Sequence, residues 1–128
     1  MRATADKTAT QAEMEAGSST TAYVSPGRTQ FHPGTVKVWV RMAANGTIGL
    51  SYNVTSTGKD STGQYTITIA TNLDADNYPI GGVAEGNGDR TLAVETVTGT
   101  GATYDVYTRI GATLTDLNNC SWAFGDLV

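Results

Sequence analysis

The residues of this chain that could do covalent or metal chemistry are few: one histidine, one cysteine and twelve carboxylates among 128 residues. One His and one Cys cannot supply a Cys/His zinc site from a single chain, and a lone Cys makes no intrachain disulfide. Nucleophilic attack by Cys120 needs a base, and the one imidazole, His32, lies far back in a separate segment. Cys120 therefore reads as a small core residue or an interface thiol. His32, between Phe31 and Pro33, reads as a loop histidine capping a backbone carbonyl. Asp60, Asp74, Asp76, Glu85, Asp89, Glu95 and Asp105 are the candidates for a carboxylate pair, which glycoside hydrolysis needs on either side of a groove. Most stand in turn-like sequence, where Asp serves turn chemistry; Glu95 stands inside a strand pattern. Asp74-Ala75-Asp76-Asn77 begins like a calcium loop but lacks its glycine and distal glutamate, and reads as a surface turn. Asn45-Gly46-Thr47, Asn53-Val54-Thr55 and Asn119-Cys120-Ser121 are glycosylation triplets of a kind that a Thr- and Asn-rich chain produces by chance.

The composition bounds what could position these groups. Eight basic and twelve acidic side chains give a net charge of −4, with no basic cluster, which excludes a typical nucleic-acid binder. No apolar run approaches the roughly 20 residues of a membrane-spanning helix, and the beginning of the chain carries no secretory apolar region. Nothing implies a cofactor. Threonine is the commonest residue, with 22 copies, and glycine follows with 15. Leu, Ile, Val and Phe are scarce before position 35, where only Val24 and Phe31 occur. The chain thus reads as a thin segment, 1–34, and a β-rich body, 35–128.

In the thin segment Asp6 or Thr8 is expected to cap a short helix ending near Ala16, with Gly17 as its stop and a small stripe of Ala5, Ala9, Ala12 and Ala16. Pro26 is expected to open a second short helix over 27–30. In the body, 35–42 alternates Val36, Val38, Val40 and Met42 against Lys37, Trp39 and Arg41. Asn45-Gly46 is a hairpin signal, and 47–54 follows with Ile48, Leu50 and Tyr52 on one face. A polar loop is expected over 58–63, strands over 64–70, 78–84, 91–98 and 102–110, and a turn at Gly99-Thr100-Gly101. Pro79 and Gly81-Gly82 mark 78–84 as an edge or a bulge. The last strand, 120–127, alternates Cys120, Trp122 and Phe124 against Ser121 and Ala123. Six or seven short strands with almost no helical period predict an all-β, antiparallel β-sandwich.

Two blocks resemble the C-terminal region of bacteriophage tail-fibre proteins. The first is Ala9-Thr10-Gln11-Ala12-Glu13-Met14-Glu15-Ala16-Gly17 followed by Thr20-Thr21-Ala22-Tyr23-Val24-Ser25-Pro26. Met14 stands where that family commonly has Ala, and Ser25 where it has Thr. The second runs from Phe31-His32-Pro33-Gly34 through Lys37-Val38-Trp39-Val40, Ser51-Tyr52-Asn53-Val54 and Gly63-Gln64-Tyr65-Thr66 to Asp76-Asn77-Tyr78. The resemblance covers roughly residues 9–84. It implies a homotrimeric, non-enzymatic virion component, made in the bacterial host cytoplasm, that joins the rest of a tail fibre or a baseplate. Its tip domain would bind a host-surface glycan or protein receptor.

On that reading the receptor-contacting residues are expected in the loops 57–63, 72–77, 85–91 and 98–102: Asp60, Asp74, Asp76, Asn77, Asn87, Asp89 and Arg90, with Tyr107 as an aromatic contact. Tyr23, Phe31 and Trp39 are the expected trimer-interface residues. Trp39 has a second reading as a stacking platform for a sugar ring. Three copies of His32 around an axis could also bind a transition metal. The alternative function is structural, a trimerisation cap or adaptor without receptor contact; a depolymerase is disfavoured because the body is too short for a solenoid.

Overall fold

The computed structural model describes residues 8–32, 34–74, 78–95, 101–125 and 127. The chain divides into two compact units, Met1–Thr35 and Val36–Val128. In the first, helix α1 spans Gln11–Ala16. Its cap is Thr10, not Asp6 or Thr8. The Thr10 hydroxyl accepts the Glu13 N–H at 3.3 Å, and the Glu13 carboxylate accepts the Thr10 N–H at 2.9 Å. This reciprocal box satisfies two donors that a helix start leaves bare. Thr8 instead forms an isolated bridge to Tyr23, and Asp6 lies outside the described residues. The later start displaces the expected alanine stripe. Ala9 and Met14 are buried, Ala12 and Ala16 are exposed, and Ala5 lies outside the described residues. Gly17 ends the helix at φ 60°, as expected. Pro26 opens a 3-10 helix, Pro26–Phe31.

The second unit is all β, in two antiparallel sheets. Strands β1 (Val38–Met42), β2 (Ile48–Tyr52), β5 (Ile80–Ala84) and β9 (Asn119–Ala123) form one sheet in the order β2-β1-β9-β5. Strands β3 (Val54–Ser61), β4 (Gln64–Ile69), β6 (Arg90–Glu95) and β7 (Thr103–Ile110) form the other in the order β3-β4-β7-β6, with the two-residue β8 (Thr113–Leu114) paired to β7. Val38, Val40, Met42 and Ala123 from the first sheet share one core with Tyr65, Ile67, Ile69, Tyr104 and Val106 from the second. Burying a large apolar side chain completely contributes about 1.5–3 kcal/mol, so this set dominates the stability. Its tyrosines end on partners inside the fold: Tyr65 donates to the Ala44 carbonyl at 2.9 Å, and Tyr104 pairs with the Ser121 hydroxyl at 2.9 Å. Burial pushes the Tyr104 phenol up to about 12.

Several expected boundaries move. The alternation of the first strand holds from Val38, where pairing to β9 begins opposite Ala123, to Met42; before it the expected faces are reversed, with Val36 exposed and Lys37 buried. Ile48, Leu50 and Tyr52 do not share a face. A bulge between Arg41 and Met42 shifts the register, so Ile48 packs on the core while Leu50 and Tyr52 point outward. Residues 58–61 continue strand β3 rather than forming a loop. Ladder pairing with β4 needs only backbone groups, so a polar edge strand shows no apolar alternation. Asn53, at φ 55°, is the corner where the chain leaves the first sheet for the second. The last strand stops at Ala123, and β8 fills part of the stretch between the last two expected strands. Residues 96–100, which carry the end of the expected fifth strand and most of its turn, lie outside the described residues.

Candidate functional site

The register of the first sheet builds an outer face from side chains that are far apart in sequence. Tyr52, Trp39, Trp122 and Gly81 are successive cross-strand partners and form one row. Leu50, Arg41, Cys120 and Val83 form the next row, about 7 Å further along the strands. Tyr52 (50% exposed), Leu50 (63%), Val83 (52%) and Trp39 (36%) all keep large apolar surface in water. Isolated apolar residues on a surface are ordinary, whereas a contiguous set marks a surface that something else contacts. Gly81 is part of the construction: a Cβ there would come within 2.7 Å of the Trp122 indole nitrogen, so glycine lets that ring lie against the β5 backbone.

A polar group closes one end of this face. Arg41 donates from Nε to Glu85 Oε1 at 2.6 Å and from Nη2 to Oε2 at 2.9 Å, a planar fork on a planar carboxylate. The hydrogen bonds from Arg41 hold the Glu85 carboxyl below its ordinary value, and Glu85 in turn raises Arg41. Both are ionised at neutral pH, so the pair carries donors and acceptors but no net charge. Beside it the β1–β2 bulge leaves a recess of about 140 Å³, bounded by Arg41, Met42, Ala43, Gly49 and Asn118. The Asn118 side-chain oxygen accepts the Ala44 N–H at 2.9 Å, which fixes that amide at the rim.

The second sheet's outer face is of another kind. Thr66 and Thr68 lie beside Asp105 and Thr103, and Tyr107 lies beside Gln64 and Ala93. The Thr66 hydroxyl is 2.7 Å from both Asp60 and Asp105. It has one proton and serves one carboxylate at a time. Glu95 is the backbone partner of Asp105, though its side chain lies outside the described part. Among the candidate carboxylates, Asp60 and Asp105 are the two brought onto one hydroxyl.

The expected receptor residues do not converge on one place. Asp60, Asn87, Asp89 and Arg90 lie toward the end that also holds the β1–β2 turn and Asn118, as the pairings of Met42 and Ala84 with Asn119 and of Arg90 with Ile110 require. Asp74 lies toward the opposite end, where the chain enters at Val36 and Leu73 donates to the Gly101 carbonyl at 3.1 Å. Asp76 and Asn77 lie outside the described residues. Arg90 is committed to its own loop, donating to the carbonyls of Asn87 at 2.8 Å and Glu85 at 3.0 Å. Tyr107 is half-buried in the middle of the second sheet.

Tyr23 is 49% exposed in the first unit; the Phe31 side chain lies outside the described part. His32 accepts the Gly34 N–H on Nδ1 at 3.0 Å, which leaves Nδ1 without a proton. Among the described residues no group of three His, Cys, Asp or Glu converges as a metal centre would need. Cys120 sits between Arg41 and Val83 on the first sheet, where burial above all, then the charge of Glu85, pushes its thiol up and keeps it protonated. Of the three glycosylation triplets, Asn119 is fully buried, Asn53 ties the sheet corner to Thr71, and Asn45 accepts the Thr47 N–H.

The sequence reading missed Arg41, Leu50, Tyr52 and Asn118 as members of a site. Part of the signal is local, since Trp39 alternates against the core valines, but Trp122 reads with Cys120 and Phe124 as the apolar face of its strand, whereas Ser121 and Ala123 are the buried ones and Trp122 lies on the outer face. What joins them is cross-strand register, which no local pattern displays. No helix among the described residues is long and apolar enough to cross a membrane. Comparison with protein-family models, with curated proteins and with solved structures gave no match for this chain.

Proposed function

We propose that this chain is a non-enzymatic attachment module, the β-sandwich tip of a virion fibre that holds a host-surface glycan. The observation that carries this reading is the outward row Tyr52–Trp39–Trp122, with Tyr52 and Trp39 exposed and Trp122 half-buried, beside the Arg41–Glu85 pair. Aromatic rings take the apolar faces of sugars, and planar polar side chains take their hydroxyls. The tail-fibre resemblance of residues 9–84 supplies the setting. The thin first unit, with Tyr23 and Phe31, joins three copies, and three weak sites on one particle gain avidity. Light scattering tests the assembly: a particle near 40 kDa, three times the 13.4 kDa chain, is expected, and a stable monomer contradicts it. Adsorption tests the function. Purified protein should coat bacterial cells of the right surface type and block particles carrying the same tip.

The same row favours a second reading, a structural cap in which Trp39 is covered by a neighbouring copy. The two part on fluorescence. With Trp122 replaced by Phe, emission typical of a water-exposed indole supports attachment, and blue-shifted emission that reverts on dissociation supports the cap.

A further inference from the structure

We infer that the recess at the β1–β2 bulge is a subsite for a single uncharged pyranose, with the next sugar lying over Trp39. The inference rests on the attachment reading and names its site and ligand class. Size comes first. The recess measures about 140 Å³, close to the roughly 150 Å³ cavity that takes one benzene ring. It therefore admits one six-membered ring, not an extended peptide. It is lined by Met42, Ala43 and Gly49, which bring no polar side chain, and by Arg41 and Asn118, which do. Two of the five guanidinium N–H groups of Arg41 go to Glu85, which leaves three for hydroxyls. The Glu85 oxygens keep lone pairs for the complementary acceptor role. Vicinal hydroxyls need such a fixed alternation of donor and acceptor.

Charge decides the class of sugar. Arg41 alone would favour uronates, sialic acids or phosphorylated sugars, but the Glu85 carboxylate lies 2.6 Å from it and cancels its charge. The chain as a whole carries −4. An anionic glycan finds no net attraction there, and a neutral hexose or N-acetylhexosamine loses nothing. Trp39 follows Arg41 on the same side of β1 at about 7 Å, roughly the advance of one glycosidic residue, so its ring lies under the second sugar.

The test is calorimetric titration of the full chain with neutral hexose and N-acetylhexosamine disaccharides and with their uronate counterparts. Adsorption to a panel of bacterial cells and melting curves are measured in parallel. Wild type should bind a neutral probe and not its uronate. Gly49→Leu fills the recess, and a Cβ there meets only the Arg41 carbonyl at 3.4 Å, so the fold tolerates it. It should weaken neutral binding by about tenfold or more, with Thr68→Ala on the other sheet unchanged. Glu85→Gln removes the compensating charge and should raise affinity for the uronate. Neutral binding that survives Gly49→Leu, or uronates binding wild type as tightly, overturns the subsite. Cell adsorption by wild type without sugar binding, or unaltered in Gly49→Leu, overturns it too and leaves the attachment reading standing. Wild type that adsorbs to none of the cells overturns both.

Discussion

The two outer faces of the second unit are made of the same backbone and do opposite things with it. On the second sheet the outward positions are mostly polar, Thr66, Thr68, Thr103 and Asp105 with the half-buried Tyr107, and the Thr66 hydroxyl bonds to Asp60 or Asp105. β-Branched threonine suits the pleat, and its hydroxyl suits water. That face is complete as it stands. On the first sheet the outward positions are Tyr52, Trp39, Trp122, Leu50 and Val83, which gain nothing by facing solvent. The inner faces of both sheets already meet in one core, so folding does not need the aromatic row. The comparison separates what holds the molecule together from what it offers to something else.

The largest effects should come from groups that serve both sheets. Tyr104→Ala removes a fully buried ring and leaves the Ser121 hydroxyl without its partner. The expected cost is about 3–5 kcal/mol in urea unfolding, a large part of the stability of a domain this size. Next comes the β3–β4 turn. Gly63 sits at φ +67°, where a Cβ would meet the Thr108 carbonyl at 2.6 Å. Gly63→Ala should cost about 2–4 kcal/mol, from left-handed strain plus a clash with backbone that cannot swing aside. A cost under about 1 kcal/mol by the same measurement would mean that the second sheet is less rigid at this turn than its contacts imply.

Trp39→Ser belongs to the other half of the comparison. It should change stability by about 1 kcal/mol or less while abolishing adsorption to cells. If it unfolds the protein as Tyr104→Ala does, the aromatic row is structural and the contrast fails.

The smallest effect is electrostatic. Asp116 accepts the Lys59 ammonium at 2.6 Å and the Gly63 N–H at 2.8 Å, and these bonds, the lysine first, hold its carboxyl below the ordinary 3.8. Glu85 is likewise held below 4.5 by Arg41. A carboxyl with a lowered folded value stabilises the protein above its ordinary value and loses that contribution as pH falls through the lowered one. Unfolding followed from about pH 6 downward should therefore show stability falling below about pH 4.5. Asp116→Asn should flatten only part of that fall. Exposed pairs contribute little, so this change is smaller than the others.

How much of this was legible in the sequence follows the range of the forces involved. Alternation placed Val38, Val40 and Met42 inside and Trp39 outside, because a strand's period is local. Gly17 and Pro26 punctuated the thin segment as their backbone preferences require. The cap at Thr10 was missed because three candidate oxygens stand within five residues, and only the partner at Glu13 decides among them. The second half of strand β3, 58–61, reads as a loop because an edge strand is held by backbone pairing, which leaves its side chains free to be polar. The site itself was the least legible part. Trp39 was singled out, but its neighbours Tyr52 and Trp122 come from strands joined only through register, and the recess exists only because a bulge slips that register by one residue.

Hydroxyl-radical footprinting of the free protein, and of the protein with a bacterial surface polysaccharide that it adsorbs to, tests the working face most directly. The account predicts that Trp39, Trp122 and Tyr52 are oxidised in the free protein and protected together when the polysaccharide is added, with Tyr107 on the opposite sheet unchanged. Protection of Tyr107 instead, or no change at the three rings while the polysaccharide is bound, would contradict it.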